Sequence, residues 1–307
     1  MIRLPKPALA VFAGLVVVFA SACGSSSGTP GPAATGAGGG TANPTSVGSV
    51  APTVNANDPN SIITSVISGG ADIKSFHIKL AVSGTIKAAA LKSEAGTSGI
   101  PITGDVKLDG TAIEGDVDVA NQAAHLTLNV PAMAMLGGVP ITGDVVVVNN
   151  TLYYKVSLLG PKYTKTDLGS LTSSLPVPTA LPSPGASALA GLTDEINQLR
   201  TQMQQAGVTA TLVGVEQIGG QDANHINISV PIDKINAAIA AQASPGTNMK
   251  VDSASVDFWV YKSNNRLAQV ELKGASSTLG SLDLMITVTN YDQPVTVAAP
   301  AASDVNP

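Results

Sequence analysis

Apolar and polar residues alternate along much of the chain from residue 76 onward. Phe76, Ile78, Leu80 and Val82 are each followed by a polar or small residue, a period of two that is typical of a strand with one buried face. The same reading applies to eight later segments. These predicted strands lie at 113–119, 126–130, 152–158, 208–218, 224–230, 251–261, 267–272 and 282–288.

Short polar turns between these segments indicate antiparallel pairing. Asn149-Asn150 lies between two apolar runs and predicts a tight hairpin turn, and Asn264-Asn265 predicts a second turn. Residues 101–106 and 140–145 both read Pro-Ile-Thr-Gly-Asp-Val, and each copy introduces a predicted strand. We interpret this single echo as two similar hairpin entries, because a solenoid needs several repeats.

Helical patterns stand before and between the strands. Asp58 can cap a first helix, Pro59 suits its first position, and Gly69-Gly70 can end it. Its apolar face consists of Ile62, Ile63, Val66 and Ile67. A second helix carries a stripe of Leu189, Leu192, Ile196, Leu199 and Met203, and a short third helix is predicted near 231–243. The simplest interpretation of both stripes is packing against the sheet.

This order of elements predicts an α+β fold, a curved antiparallel half-barrel sheet of about 9–11 strands wrapping around about three helices. An open sheet of that size curls, and helices must cover its apolar face. The predicted domain covers residues 58–300. A Pro-rich segment near 176–185 interrupts the sheet, and residues 301–307 are predicted to be a disordered tail.

The first 22 residues have the organisation of a signal peptide. Arg3 and Lys6 precede an uncharged apolar run from residue 8 to 20, which is shorter than a membrane-spanning helix requires. Ala20-Ser21-Ala22 before Cys23 resembles the lipobox of bacterial lipoproteins, although Leu is commoner where Ala20 stands. We therefore predict cleavage before Cys23 and lipidation of Cys23; ordinary secretion and a retained anchor are the alternatives.

Residues 23–57 are predicted to be the lipidated cysteine and a disordered tether. Residues 24–57 contain no charged side chain and are dominated by Gly, Ser, Pro, Thr and Ala. Random-coil scaling gives such a segment a root-mean-square reach of roughly 30–35 Å. Two acyl chains at one residue anchor a protein stably to a membrane, so the domain is expected on the extracytoplasmic face of the cytoplasmic membrane.

Charge and residue chemistry exclude several classes of function. The formal net charge is −5, and loss of residues 1–22 leaves 14 basic and 21 acidic residues, so nucleic acid is an unsuitable partner. A single cysteine rules out an intramolecular disulfide. His77, His125 and His225 stand apart in the sequence, and no metal, phosphate-binding or catalytic motif accompanies them. The sequence therefore predicts no enzyme activity, no catalytic residue, no metal site and no cofactor.

Several short segments resemble, in their order along the chain, the mycobacterial LppX/LprA/LprF/LprG lipoprotein family. These segments are 73–78 (Ile-Lys-Ser-Phe-His-Ile), 215–226 (Val-Glu-Gln-Ile-Gly-Gly-Gln-Asp-Ala-Asn-His-Ile), 256–261 (Val-Asp-Phe-Trp-Val-Tyr) and 290–297 (Asn-Tyr-Asp-Gln-Pro-Val-Thr-Val). The resemblance implies a LolA/LolB-like fold with a hydrophobic cavity that holds acylated lipid or glycolipid. It also implies carriage of that lipid across the cell envelope, with a membrane transporter as a further candidate partner.

If a cavity exists, the alternating strand positions and the facing helix stripes should form its wall. The predicted wall residues are Ile63, Ile67, Phe76, Ile78, Leu126, Leu128, Leu152, Leu192, Ile196 and Leu199. A sixteen-carbon chain needs on the order of 12 kcal/mol of shelter from water, which only a large apolar surface supplies. For each residue, packing in a filled core is the competing interpretation. A non-catalytic envelope scaffold or accessory interaction module without a lipid cavity is the alternative function.

Overall fold

The computed structural model describes residues 55–70, 72–95, 104–132, 138–168, 207–242 and 250–306. The signal peptide and all but the last three residues of the tether lie outside these ranges. So do Leu192, Ile196 and Leu199, together with the rest of the second predicted helix. The predictions made for these segments stay predictions.

Twelve strands form one antiparallel sheet in the described part of the chain, and three α-helices accompany it. The helices are α1 (Pro59–Gly69), α2 (Ala88–Ala95) and α3 (Ile232–Gln242). The strands are β1 (Ser75–Ile86), β2 (Val106–Lys107), β3 (Thr111–Asp118), β4 (Ala123–Val130), β5 (Ile141–Val148), β6 (Thr151–Val156), β7 (Thr164–Asp167), β8 (Thr209–Ile218), β9 (Gln221–Ser229), β10 (Ser253–Tyr261), β11 (Leu267–Ser276) and β12 (Gly280–Thr289). The α+β fold class is confirmed, with a curved sheet slightly larger than the 9–11 strands expected.

The strand order is β7-β6-β5-β4-β3-β1-β12-β11-β10-β9-β8, and β2 pairs with β1 outside this path. The sheet thus consists of two meanders that meet where β1 pairs with β12, from His77 opposite Thr289 to Ile86 opposite Gly280. Asn149 and Asn150 both have positive φ, 50° and 59°, which confirms the tight hairpin turn between β5 and β6.

Helix α1 forms as its sequence predicts. The Asp58 side chain accepts a hydrogen bond from the Asn60 backbone N–H at 3.0 Å, and Pro59 begins the helix. Ile62 is fully buried and packs with Ile226, Phe258 and other residues of β9, β10 and β11. We call the side of the sheet that carries α1 the inner face and the opposite side the outer face.

The C-terminal residues differ from the disordered tail that the sequence predicts. After β12 the chain passes from the middle of the sheet to its edge, where residues 302–304 form a 3-10 helix. Tyr163 donates its N–H to the Asp304 carbonyl at 2.8 Å, and its own carbonyl accepts from Asn306 at 2.8 Å. Five strands lie between β12 and the edge strand β7, so this segment connects one meander to the other. We call it the C-terminal strap.

Candidate functional site

The strand register joins the apolar residues of β1 and β3–β6 into continuous rows. Directly opposite residues of antiparallel strands lie on the same face of a sheet. Three rows on the inner face follow from the pairing: Phe76-Val117-Ala124-Val147-Leu152, Ile78-Gly115-Leu126-Val145-Tyr154 and Leu80-Ile113-Leu128-Gly143-Val156. We call these rows the open apolar face, for the reason given next.

Burial distinguishes the two halves of the inner face. In the β8–β11 half, Ile62 of α1 packs in a buried core cluster with Phe258 and Val270 of the sheet. In the β1–β6 half, every non-glycine side chain in the three rows is only partly buried within the part of the chain that the structure describes. The inner face therefore divides into a filled core and an apolar surface of five strands that the described helices leave partly exposed.

The predicted wall residues fall into three groups. Phe76, Ile78, Leu126, Leu128 and Leu152 all lie in the open apolar face, so the structure brings the five strand residues together. The three residues of the second predicted helix lie outside the described residues.

Neither of the two wall residues predicted on α1 is found in the open apolar face. Ile63 packs against the core cluster of the β8–β11 half. Ile67 lies on α1, and its side chain is not among those that the structure describes.

Two glycines lie inside these rows, and the sequence patterns gave no reason to select them. A Cβ at Gly115 would stand 1.9 Å from the His125 carbonyl oxygen, so only glycine allows the close approach of β3 and β4 there. A Cβ at Gly143 would meet the Leu128 Cβ at 3.1 Å.

The outer face carries a small buried cluster with Trp259 and Tyr261 as well as polar side chains, and each histidine there is bonded to a carboxylate. His77 Nδ1 lies 2.9 Å from Asp116, and His125 Nε2 lies 2.9 Å from Asp144. The three histidines stand apart in the sequence, but in the structure each of them contacts a carboxylate. Among the residues that the structure describes, no group of three His, Cys, Asp or Glu side chains is placed to hold a metal ion.

The third histidine belongs to a larger network on β8, β9 and β10. Its Nδ1 lies 2.8 Å from Glu216 and its Nε2 lies 3.0 Å from Asp257. Trp259 donates its indole N–H to Glu216 at 2.9 Å, and this bond is the largest single cause of the lowered pKa of the Glu216 carboxyl, to which His225 also contributes. The network links β8, β9 and β10 on the outer face.

A groove of about 820 Å³ lies beside β4, β5 and β6. Its lining includes Thr127, Asp144 and Lys155, which are directly paired on the outer face, and also Leu128 and Gly143 of the open apolar face. No helix in the described ranges reaches the length and apolarity that crossing a bilayer requires.

These features define a class of protein: an α+β domain in which a curved antiparallel sheet carries helices on an apolar inner face. No family model matches the chain. A search of curated proteins also found no match.

Among solved structures, the chain is similar to lipoprotein LppX of Mycobacterium tuberculosis. The identity is 16%, the alignment covers 78% of this chain and 97% of that one, and the TM-score is 0.41. It is also similar to LprF of Mycobacterium bovis, at 17% identity over 80% and 97% of the two chains with a TM-score of 0.39. A LolA superfamily protein of Nitrosomonas europaea, NE2245, matches at 10% identity over 77% and 94%, with a TM-score of 0.24.

Proposed function

We propose that this chain is a membrane-anchored, extracytoplasmic lipoprotein that binds acylated lipid or glycolipid and carries it across the cell envelope. The open apolar face is the observation that supports the proposal. Its side chains form three rows across β1 and β3–β6 and are only partly buried in the described structure. An apolar surface of this extent is unusual unless another molecule or segment covers it.

The chemistry of this face suits hydrocarbon. Tyr154 is the one residue of the three rows with a polar side-chain atom, and the other side chains are aliphatic or Phe76. Burial against apolar surface stabilises an acyl chain by about 0.8 kcal/mol per CH₂. Aliphatic walls adapt to chains of different length, so we propose acyl chains as the common feature of the ligands.

The anchor is the second part of the proposal. Cleavage before Cys23 and lipidation of its thiol would hold the domain at the extracytoplasmic side of the membrane through the tether of residues 23–57. Mass spectrometry should find the diacylglyceryl modification in the parent and not in a Cys23→Ser variant. A parent chain without that modification would contradict the anchor without affecting the lipid-binding face.

Lipid extraction followed by mass spectrometry tests the cargo. The Cys23→Ser chain, purified from the native host, should retain acylated lipid. Leu128→Trp should reduce that lipid severalfold, because the indole projects from the centre of the open apolar face.

Thr127→Trp is the matched control, since its indole projects from the outer face of the same strand. Equal loss in both variants, or no lipid in the parent, would contradict the proposal. Absence of lipid from the parent would favour the alternative function, a non-catalytic envelope scaffold.

A further inference from the structure

Two consecutive leucines are exposed in the turn that follows β6. Leu158 keeps 59% and Leu159 keeps 74% of its surface accessible. The Leu159 N–H donates to the Val156 carbonyl at 2.8 Å, so the turn is closed by a backbone hydrogen bond and holds both side chains outside the sheet. Such exposure of adjacent large apolar residues requires an explanation.

Val139 extends this apolar surface. It is 51% exposed and lies two residues before β5. The Ser157 N–H donates to the Thr142 carbonyl at 2.8 Å, which places the start of β5 beside the end of β6. Leu158, Leu159 and Val139 therefore project from one end of the sheet, and we call them the rim patch.

The rim patch adjoins the open apolar face. Val156, the last residue of β6, belongs to the row that contains Leu128. The turn with both leucines begins at that same Val156. A hydrocarbon chain leaving the inner face at this end would pass the rim patch first.

The N-terminal helix of the domain begins toward the same end of the sheet as the rim patch. Helix α1 ends beside the β10–β11 turn, because a Cβ at Gly69 would lie 3.2 Å from the Asn265 carbonyl oxygen. Ile62, near the start of α1, belongs to a core cluster that includes Ile228 and Leu272, which lie nearer the opposite end of the sheet, so the helix runs back toward that end. That opposite end is where β10 begins and β6 ends, so α1 begins on the rim side of the sheet.

We propose that the rim patch rests on a lipid bilayer and delivers the inner face to the membrane surface. Leu158, Leu159 and Val139 enter the boundary between headgroups and acyl chains, while the exposed Lys162 stays at headgroup level. The inference deepens the proposed function, since it names the bilayer as donor or acceptor of the lipid.

Vesicle co-sedimentation of residues 24–307, which lack both the apolar run of residues 8–20 and Cys23, tests this surface without the anchor. The vesicles are phosphatidylcholine alone, or phosphatidylcholine mixed with phosphatidylglycerol. The parent should bind, and Leu158→Ser/Leu159→Ser should weaken partitioning by at least about tenfold.

The control Val213→Ser/Val215→Ser removes two equally apolar residues, 56% and 51% exposed, from the far edge strand β8. It should bind vesicles like the parent.

Three outcomes would overturn the assignment: no binding by the parent, equal binding by the leucine variant, or equal loss in the control. A parent that is dimeric and becomes monomeric in the leucine variant would identify a second copy as the occupant instead. If a leucine variant retains lipid but no longer binds vesicles, the membrane-binding surface is distinct from the lipid-binding site. Conversely, vesicle binding by a parent that carries no lipid would leave the rim patch standing while the proposed function fails.

Discussion

The imidazole of His225 stacks on the indole of Trp259, with ring centroids 4.3 Å apart and ring planes 14° from parallel. Both side chains bond to one carboxylate, Glu216, which couples β8, β9 and β10 on the outer face. Trp259 is buried, whereas Glu216 is half-exposed. The network therefore fixes an edge strand to the sheet at a point that remains open to solvent.

Loss of the indole N–H should weaken this coupling. We expect Trp259→Phe to lower the free energy of unfolding by about 1 kcal/mol, after allowance for screening at a half-exposed carboxylate. The pKa of Glu216 should rise, because the Trp259 hydrogen bond is the largest cause of its lowered value. Denaturant titration and NMR titration of the carboxyl measure the two effects. An unchanged Glu216 pKa would contradict the assigned cause.

The lowered pKa of Glu216 also predicts a pH dependence. An acid whose pKa is lower in the folded state stabilises the fold above its unfolded value, here 4.5, and loses that contribution as pH falls through the folded value. Glu216→Gln should therefore be less stable than the parent at neutral pH, and the difference should shrink below pH 4.5. Urea denaturation across this range checks the sign; a gap that widens in acid would disprove it.

Asp292 joins the C-terminal segment to the start of β1. It accepts from the Lys74 backbone N–H at 2.8 Å and pairs with Arg266, and both contacts lower the pKa of its carboxyl. Its φ is 59°, a conformation that Asn tolerates and Ala does not.

We expect Asp292→Ala to cost about 1–2 kcal/mol of stability, and Asp292→Asn less than about 1 kcal/mol. Thermal unfolding of the two variants gives the comparison. Equal losses would mean that the backbone conformation contributes nothing.

Gly115 and Gly143 provide a test of the open apolar face as a packed surface. Gly115→Ala forces a methyl group into the His125 carbonyl and should cost more than about 3 kcal/mol or prevent folding. Gly143→Ala would place a methyl group 3.1 Å from the Leu128 Cβ and 3.5 Å from the Lys155 carbonyl oxygen, which needs a shift of only a few tenths of an ångström, and should change stability by less than about 1 kcal/mol. Circular dichroism melts distinguish the two variants. A tolerated Gly115→Ala would show that β3 and β4 are further apart than described.

The C-terminal strap should protect the edge strand β7. Deletion of residues 302–307 removes both backbone hydrogen bonds to Tyr163. Hydrogen exchange of residues 163–167 should then accelerate, because edge strands open at low free energy. Exchange in β10 and β11 serves as the internal control and should not change. Unaltered protection of β7 would assign its stability to β6 alone.

The alternation of apolar residues was enough to locate α1 and most of the long strands, since the residues of one face recur at a fixed period, but not β5, whose valines at 145–148 are consecutive. It could not locate β2 and β7, which have two and four residues, or α2. These elements are too short, or too weakly apolar, for periodicity to mark them. The sequence did not predict the C-terminal strap, because its contacts depend on Tyr163, which lies far away in the sequence.

The polar network illustrates a second limit of sequence reasoning. A register shift between Leu212 and Gly214 moves the pairing of β8 with β9 by one residue. A shift of one residue exchanges the faces of a strand, and it places Glu216 on the same face as His225 and Trp259. Nothing in the alternation of β8 marks the position of this bulge. By contrast, the five strand residues of the open apolar face follow directly from alternation.

The pairing of β1 with β12 has a consequence for how the chain acquires its structure. The two strands that meet in the middle of the sheet stand near opposite ends of the domain, so their joint can form only after almost the whole polypeptide has been synthesised. Until then β1 and β11 each lack a partner along one edge, and unpaired edges invite aggregation. Contacts between such distant residues also make folding slow. We therefore expect the nascent protein to depend on protection from other chains until its last strand is available.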